Sequence, residues 1–117
     1  MAGLTIYHNP RCSKSRQTLA LLRERGLEPE VVDYQKAPPS VEELGRILDR
    51  LGAGPLDITR SREKLFQELG LSGDDERPTS EWLRILHEHP KLIERPIVVH
   101  GDRAAIGRPP EDVLAIL

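Results

Sequence analysis

The segment LTIYHNPRCSKSR, residues 4–16, contains the most informative local pattern for the fold. Residues 4–7 alternate in polarity and are of types that favour strands, so they predict a β-strand. Asn9 and Pro10 follow as turn-forming residues, and residues 13–25 are compatible with a helix. The sequence therefore predicts a strand, a turn and a helix, with Cys12 at the junction between the turn and the helix.

The rest of the chain adds a second strand, a helical block and a final hairpin with a helix. Gly26 predicts the end of the first helix, and residues 30–34 predict a strand parallel to the first. Residues 40–43 fit a capping box, so a helix is expected to start at Ser40. The remaining predicted elements are helices over residues 62–69, 79–89 and 110–117 and strands over residues 96–99 and 103–106.

This order of elements is βαβ, a helical insertion and then ββα. It is typical of α/β proteins with the thioredoxin-like fold, built on a four-stranded mixed sheet. We therefore expect a single domain over residues 1–117, with the helical insertion at about residues 40–90.

Composition excludes several classes of protein. The 117 residues are 38% hydrophobic and 31% charged, which is ordinary for one globular domain. A net charge of -2 gives no general attraction to nucleic acid or to anionic lipid. The first residues lack a secretion signal, and no stretch approaches the roughly 18 apolar residues needed to span a bilayer. We expect a cytoplasmic protein.

Cys12 is the only cysteine in the chain. Unpaired N–H groups and the positive end of the helix dipole favour a thiolate at the start of a helix. Arg11, Lys14 and Arg16 add positive charge nearby, and His8 would add more if it were protonated. The sequence therefore predicts a Cys12 pKa below its ordinary value and a nucleophile suited to an anionic substrate.

Spacing separates the mechanisms open to such a thiolate. A cysteine phosphatase would be expected to place an arginine after five intervening residues, whereas Arg16 follows Cys12 after three. A dithiol oxidoreductase would carry a second cysteine in place of Ser15, so reduction here would need thiols from other molecules. A papain-like hydrolase would need a third orienting residue besides His8, and nothing in the sequence marks one.

Three segments together carry a family resemblance. Residues 7–16, YHNPRCSKSR, residues 94–99, ERPIVV, and residues 107–110, GRPP, resemble the arsenate reductases of the glutaredoxin-dependent family, in particular its shorter members. The match runs through nearly the whole chain. Ser13 and Lys14 stand where the plasmid-type enzymes tend to have a Gly-Thr pair.

The resemblance implies a reaction and its site residues. Cys12 would attack arsenate to form a thioarsenate adduct, which glutathione and glutaredoxin would resolve to arsenite. Arg60, Arg95 and Arg108 would hold the oxyanion, and His8 would help to set the thiolate. The implied partners are arsenate or a similar oxyanion, glutathione as co-substrate and glutaredoxin, with no bound cofactor or metal, no nucleic acid and no membrane. We expect a monomer.

The neighbouring residues give a different reason to place each of the three arginines at the site. Arg95 precedes Pro96 at the start of a strand, and in thioredoxin-like folds the peptide bond at that place is commonly cis and packs beside the active-site cysteine. Arg108 begins an Arg-Pro-Pro segment, and the fork of donors on a guanidinium suits an oxyanion. Arg62 is a rival to Arg60, because both lie in the short segment 59–62.

Two other functions remain open from the sequence. One is a non-catalytic Spx-like regulator, although Ser15 removes the usual Cys-x-x-Cys switch. The other is a glutathione-dependent thiol oxidoreductase that acts on a different substrate.

His87 and His89 lie on different faces of a helix, which argues against a shared zinc site, and Trp82 is expected in the core.

Overall fold

The computed structural model describes residues 3–74 and 76–117. Its α-helices and β-strands in chain order are β1 Leu4–His8, α1 Ser13–Glu24, β2 Glu30–Asp33, α2 Val41–Leu51, α3 Lys64–Glu68, α4 Thr79–Glu88, β3 Ile97–His100 and β4 Arg103–Ile106. The described 3₁₀ helices are Pro55–Ile58, Pro90–Leu92 and Pro110–Ile116. The chain divides into two compact units, the first made of residues up to Ala37 together with Arg95–Leu117, the second of Pro38–Glu94.

The first unit is built on one four-stranded mixed sheet. Its strand order is β2-β1-β3-β4, with β1 parallel to β2 and antiparallel to β3, and with β3 antiparallel to β4. This confirms the predicted α/β class with a mixed sheet and the βαβ and ββα halves of a thioredoxin-like fold. The α1 helix provides the crossover between the two parallel strands, as a parallel pair requires.

The core of the first unit lies between the sheet, α1 and the C-terminal 3₁₀ helix. Its buried residues are Ile6, Leu19, Leu22, Val98, Val113 and Ile116. Leu19 and Leu22 are three residues apart on α1, so both face the sheet. Val113 and Ile116 have the same spacing, which suits the three residues per turn of a 3₁₀ helix. This packing fixes α1 against the sheet and so fixes the position of its first turn.

The second unit is mainly helical. Its buried side chains include Leu44, Ile47 and Leu48 of α2 and Trp82 and Leu86 of α4. Trp82 is 2% exposed and stacks on Phe66 at 6.3 Å between ring centroids, which confirms that it is a core residue. Within this unit, the backbone pairs Thr59 with Ile93 in an isolated antiparallel bridge.

Most predicted elements are present, but two helices differ from the prediction. The helix predicted over residues 62–69 is only Lys64–Glu68, and the one predicted over residues 110–117 is a 3₁₀ helix, Pro110–Ile116. Two short 3₁₀ helices that begin at Pro55 and Pro90 were not predicted. Each has its proline in the first turn, where the missing N–H costs no helical hydrogen bond. The assignment of residues 1–117 to one domain stays a prediction.

Each described helix is too short or too polar to cross a membrane.

The start of α2 offers a test of local stability. Ser40 is its N-cap residue, and the Ser40 hydroxyl oxygen accepts a hydrogen bond from the backbone N–H of Glu43 at 3.1 Å. We expect Ser40→Ala to lower the free energy of unfolding by about 1 kcal/mol, because that N–H loses its partner. Urea denaturation measures the change. Ser80→Ala, at an exposed position in the first turn of α4, is the matched control, and an equal loss there would contradict the assignment.

Candidate active site

Cys12 lies at the N-terminus of α1 and is partly exposed. It is the N-cap residue, with extended backbone angles, and its carbonyl oxygen accepts the first helical hydrogen bond from Arg16 N–H at 3.0 Å. Its own N–H donates to the carbonyl of Asn9 at 3.0 Å, which closes the turn between β1 and α1. The sulfur therefore faces the free N–H groups of the first helical turn.

The pKa of Cys12 is lowered by these surroundings. Burial acts to raise the pKa of the thiol, but hydrogen bonds from the backbone of Ser15, the side chain of Arg95 and the backbone of Lys14 outweigh it, together with the positive charge of Arg95. The net pKa lies below the ordinary value for cysteine, in the direction expected from the sequence. The thiolate population at neutral pH is therefore increased.

The pairing of the strands brings Arg95 and Arg108 to the edge of the sheet where Cys12 lies. Tyr7, the residue before the last of β1, is paired with Ile97, and Ile97 is paired with Ile106. Arg95 lies two residues before Ile97 and Arg108 two residues after Ile106, so both flank the turn that carries Cys12. The peptide bonds Arg95-Pro96 and Arg108-Pro109 are both cis.

Both guanidinium groups reach the sulfur. Arg108 Nη2 donates to Cys12 Sγ at 3.6 Å, and Arg95 also donates a side-chain hydrogen bond to this sulfur. Arg108 Nε donates to the main-chain carbonyl oxygen of Arg95 at 2.8 Å, which fixes the direction of its guanidinium. Arg108 is exposed and Arg95 is partly buried. Two cations thus converge on one thiolate.

The backbone at Gly107, directly before Arg108, lies close to α1 and to Pro96. The Gly107 N–H donates to the carbonyl oxygen of Pro96 at 2.9 Å. A Cβ at Gly107 would lie 2.6 Å from Thr18 Oγ1 and 2.8 Å from Pro96 Cγ, distances at which these atoms would have to move. The absence of a side chain at this residue allows the segment that leads to Arg108 to pack directly on α1.

His8 is buried at the end of β1 and contacts Ser15. Its Nδ1 lies 2.6 Å from the Ser15 hydroxyl oxygen, which also accepts the backbone N–H of Asn9 at 3.0 Å. Because the oxygen already accepts one hydrogen bond, its single proton is suited to donation to Nδ1, with the imidazole proton on Nε2. His8 therefore acts on the turn through Ser15, whose backbone N–H faces the sulfur.

The pKa of His8 is lowered, chiefly by burial. Asp33 acts to raise it, while Arg23 and Arg16 act to lower it. The lowered pKa favours the neutral ring at neutral pH, the state in which His8 adds no positive charge beside Cys12. The cations beside the sulfur are Arg95 and Arg108. Arg11, Lys14 and Arg16 are exposed at the surface of the turn and helix, and Arg16 donates to the carbonyl oxygen of Pro10 at 2.9 Å.

Asn9 shapes the turn and was not predicted as a site residue. Its side-chain oxygen accepts the backbone N–H of Arg11 at 3.0 Å, and its carbonyl accepts the N–H of Cys12. The residue is 7% exposed. The Asn9-Pro10 pair predicted a turn, and the tendency of Asn to bond the backbone two residues ahead was the signal for this role.

Arg60 belongs to the second unit. Its guanidinium lies 3.3 Å from a carboxylate oxygen of Glu63 and 3.9 Å from one of Glu94. Its backbone N–H donates to the carbonyl of Leu92 at 2.7 Å, whereas Arg62 is exposed. Arg60 is thus the better anchored of the two rivals, and its contact with an oxyanion stays a prediction.

His87, one of the two histidines considered for zinc, contacts the backbone. His87 Nδ1 lies 2.9 Å from the carbonyl oxygen of Pro39, a contact that joins α4 to the segment before α2. Among residues 3–74 and 76–117, no three His, Cys, Asp or Glu side chains are grouped in a way that could hold a metal ion.

Known proteins are similar in sequence to this chain over nearly its full length. A model of the ArsC family matches residues 7–116. The arsenate reductase of Neisseria meningitidis serogroup A is 45% identical over 118 residues, covering 100% of both chains. The arsenate reductase of Haemophilus influenzae is 47% identical over 116 residues, covering 98% of this chain and 99% of its own. Among solved structures, an arsenate reductase from Vibrio cholerae is 50% identical, covers 99% of this chain and 98% of its own, and has a TM-score of 0.93.

The lowered pKa of Cys12 gives the first prediction for this site. The rate of alkylation by iodoacetamide should reach half of its plateau well below about pH 8.5, the value for a free thiol. Because the chain has one cysteine, the rate reports on Cys12 alone. Cys12→Ser is the blank. A midpoint at or above the value for a free thiol would show that the first turn of α1 and Arg95 do not stabilise the thiolate.

The buried neutral state of His8 gives a second prediction. Its pKa is lowered in the folded protein from an ordinary value of 6.5, so the unfolded chain binds the proton more readily. Stability contributed by neutral His8 is present above about pH 6.5 and is lost as the pH falls towards the folded value. Denaturation at pH 7.5 and 5.5 should therefore show a larger loss for the wild type than for His8→Asn. Equal losses would mean that His8 protonates normally in the fold.

Proposed function

The chain belongs to the ArsC family, and we propose that it is an arsenate reductase whose nucleophile is Cys12. The single observation that carries the proposal is the convergence of Arg95 and Arg108 on the Cys12 sulfur at the start of α1. A thiolate is a good nucleophile, and the cations beside it attract an oxyanion that would otherwise be repelled by its charge. Relatives that match over the full chain are named for the same reaction.

The first step is attack of the Cys12 thiolate on arsenic. The new S–As bond replaces one As–O bond, and that oxygen leaves as water after protonation. Arg108 and Arg95 hold the remaining oxygens, where the planar fork of a guanidinium can bind two of them at once. In the same proposal Arg60 supplies a third cation, and His8 keeps the Cys12 turn in place through Ser15.

The reduction needs two electrons, and one cysteine cannot supply both. In the proposed cycle, glutathione is the co-substrate that attacks the thioarsenate adduct, and glutaredoxin then takes up the glutathione in a mixed disulfide. Glutathione bonds to arsenic with loss of a second water, and the glutaredoxin thiolate then attacks the glutathione sulfur. The bond between that sulfur and arsenic breaks with its electron pair left on arsenic, so arsenic gains two electrons while the two thiol sulfurs are oxidised to the disulfide. Water hydrolyses the remaining S–As bond, which releases arsenite and restores Cys12 as a thiol. The proposal places this cycle in the cytoplasm, where glutathione is reduced, and in a monomer without a bound cofactor.

A coupled assay tests this function. Arsenate should drive NADPH oxidation in the presence of glutathione, glutaredoxin and glutathione reductase, and Cys12→Ser should abolish it because no other thiol in the chain can attack. Absence of arsenate-dependent turnover, together with strong activity on a glutathione mixed disulfide, would instead identify a thiol oxidoreductase with another substrate.

The arginines can be tested in the same assay. Arg95→Lys and Arg108→Lys should each raise KM for arsenate by about tenfold, since a lysine ammonium cannot replace a fork of donors. Arg103→Lys is the matched control, because Arg103 is exposed at the far end of β4. A rise in KM of the same size in the control would show that the effect is not specific to the site.

A further inference from the structure

Tyr34 is a fully buried residue directly after β2 and has no role in the mechanism above. Its side chain is 0% exposed, and its hydroxyl oxygen is buried as well. Within the described residues, no neighbour meets the full geometry of a hydrogen bond to this oxygen, but the side chains of Arg95, Asn9 and Gln35 surround it. A buried hydroxyl is unfavourable without a polar partner, so these neighbours decide what it does.

Two of these neighbours control the position of Cys12 from different sides. Asn9 holds the turn, through its carbonyl to Cys12 N–H and through its side-chain oxygen to Arg11 N–H. Arg95 donates to the Cys12 sulfur and supplies the charge that favours the thiolate. The Tyr34 hydroxyl therefore faces both the turn and the cation that act on the same sulfur.

We propose that Tyr34 is a positioning residue whose buried hydroxyl holds the guanidinium of Arg95 against the Asn9 turn and so keeps it on the Cys12 sulfur. A phenol hydroxyl can accept an N–H of a guanidinium and can also donate its own proton. Phenylalanine can do neither. The inference rests on the proposed function only in taking Cys12 as the reactive group.

The phenol is neutral in this place. Burial raises the pKa of Tyr34, while the charge of Arg95 and the polar side chains of Arg95, Asn9 and Gln35 around the hydroxyl act to lower it, and the net pKa lies above its ordinary value. Tyr34 therefore does not cancel the charge of Arg95 at neutral pH. It fixes the direction of the guanidinium and leaves its full charge to the sulfur.

The test is the pH profile of Cys12 alkylation in Tyr34→Phe, a variant that removes only the hydroxyl. The midpoint should rise by about half a unit to one unit, so that alkylation below the midpoint slows by about threefold to tenfold. Tyr7→Phe removes the same atom from the other tyrosine of the chain and should leave the profile unchanged. An unchanged profile in Tyr34→Phe, or an equal shift in Tyr7→Phe, would overturn the proposal.

A double-mutant cycle shows whether Tyr34 acts through Arg95. In the Arg95→Ala background, Tyr34→Phe should change the alkylation profile no further, because the group that it positions is gone. A further shift of the same size would overturn the proposal. These measurements need no arsenate, so loss of arsenate turnover in the wild type would refute the proposed function and leave this inference standing.

Should Tyr34→Phe fail to fold, the contact can be measured in the otherwise intact protein. The ¹³C resonance of the Tyr34 ring carbon that bears the hydroxyl should shift in Arg95→Lys, while that of Tyr7 should not. A Tyr34 resonance that does not respond to the loss of the guanidinium would overturn the proposal.

Discussion

The candidate site is organised around one interaction, the stabilisation of a thiolate at the N-terminus of α1. Cys12 is the N-cap residue there, so its sulfur meets backbone N–H groups that have no partner within the helix. The packing of Leu19 and Leu22 on the sheet fixes this helix end in place. Burial alone would disfavour the charged sulfur, and the N–H groups together with Arg95 outweigh it.

The local part of this arrangement could be predicted from the sequence. The strand, the Asn-Pro turn and the helix lie within a short span, and each is determined by residues that are close together. The position of Cys12 at the start of α1 followed from them. The βαβ and ββα halves could be predicted for the same reason, since strand and helix patterns are local and parallel strands require a crossover.

Contacts between residues that are far apart in the sequence could not be derived from local patterns. Arg108 and Cys12 are 96 residues apart, and their contact depends on the register of β1 with β3 and of β3 with β4. A shift of one residue would turn these side chains to the other face, and no local pattern specifies that register. The family resemblance supplied Arg95 and Arg108, whereas the buried position of Tyr34 depends on packing that became visible only in the fold.

Protection of Cys12 by arsenate tests the central claim most directly, because it asks whether the substrate binds where the thiolate and the two guanidinium groups meet. Iodoacetamide alkylation of the wild type is followed with increasing arsenate, with chloride added to keep the ionic strength constant. We expect alkylation to slow with arsenate concentration along a saturable curve. Alkylation that stays equally fast at every arsenate concentration would contradict it.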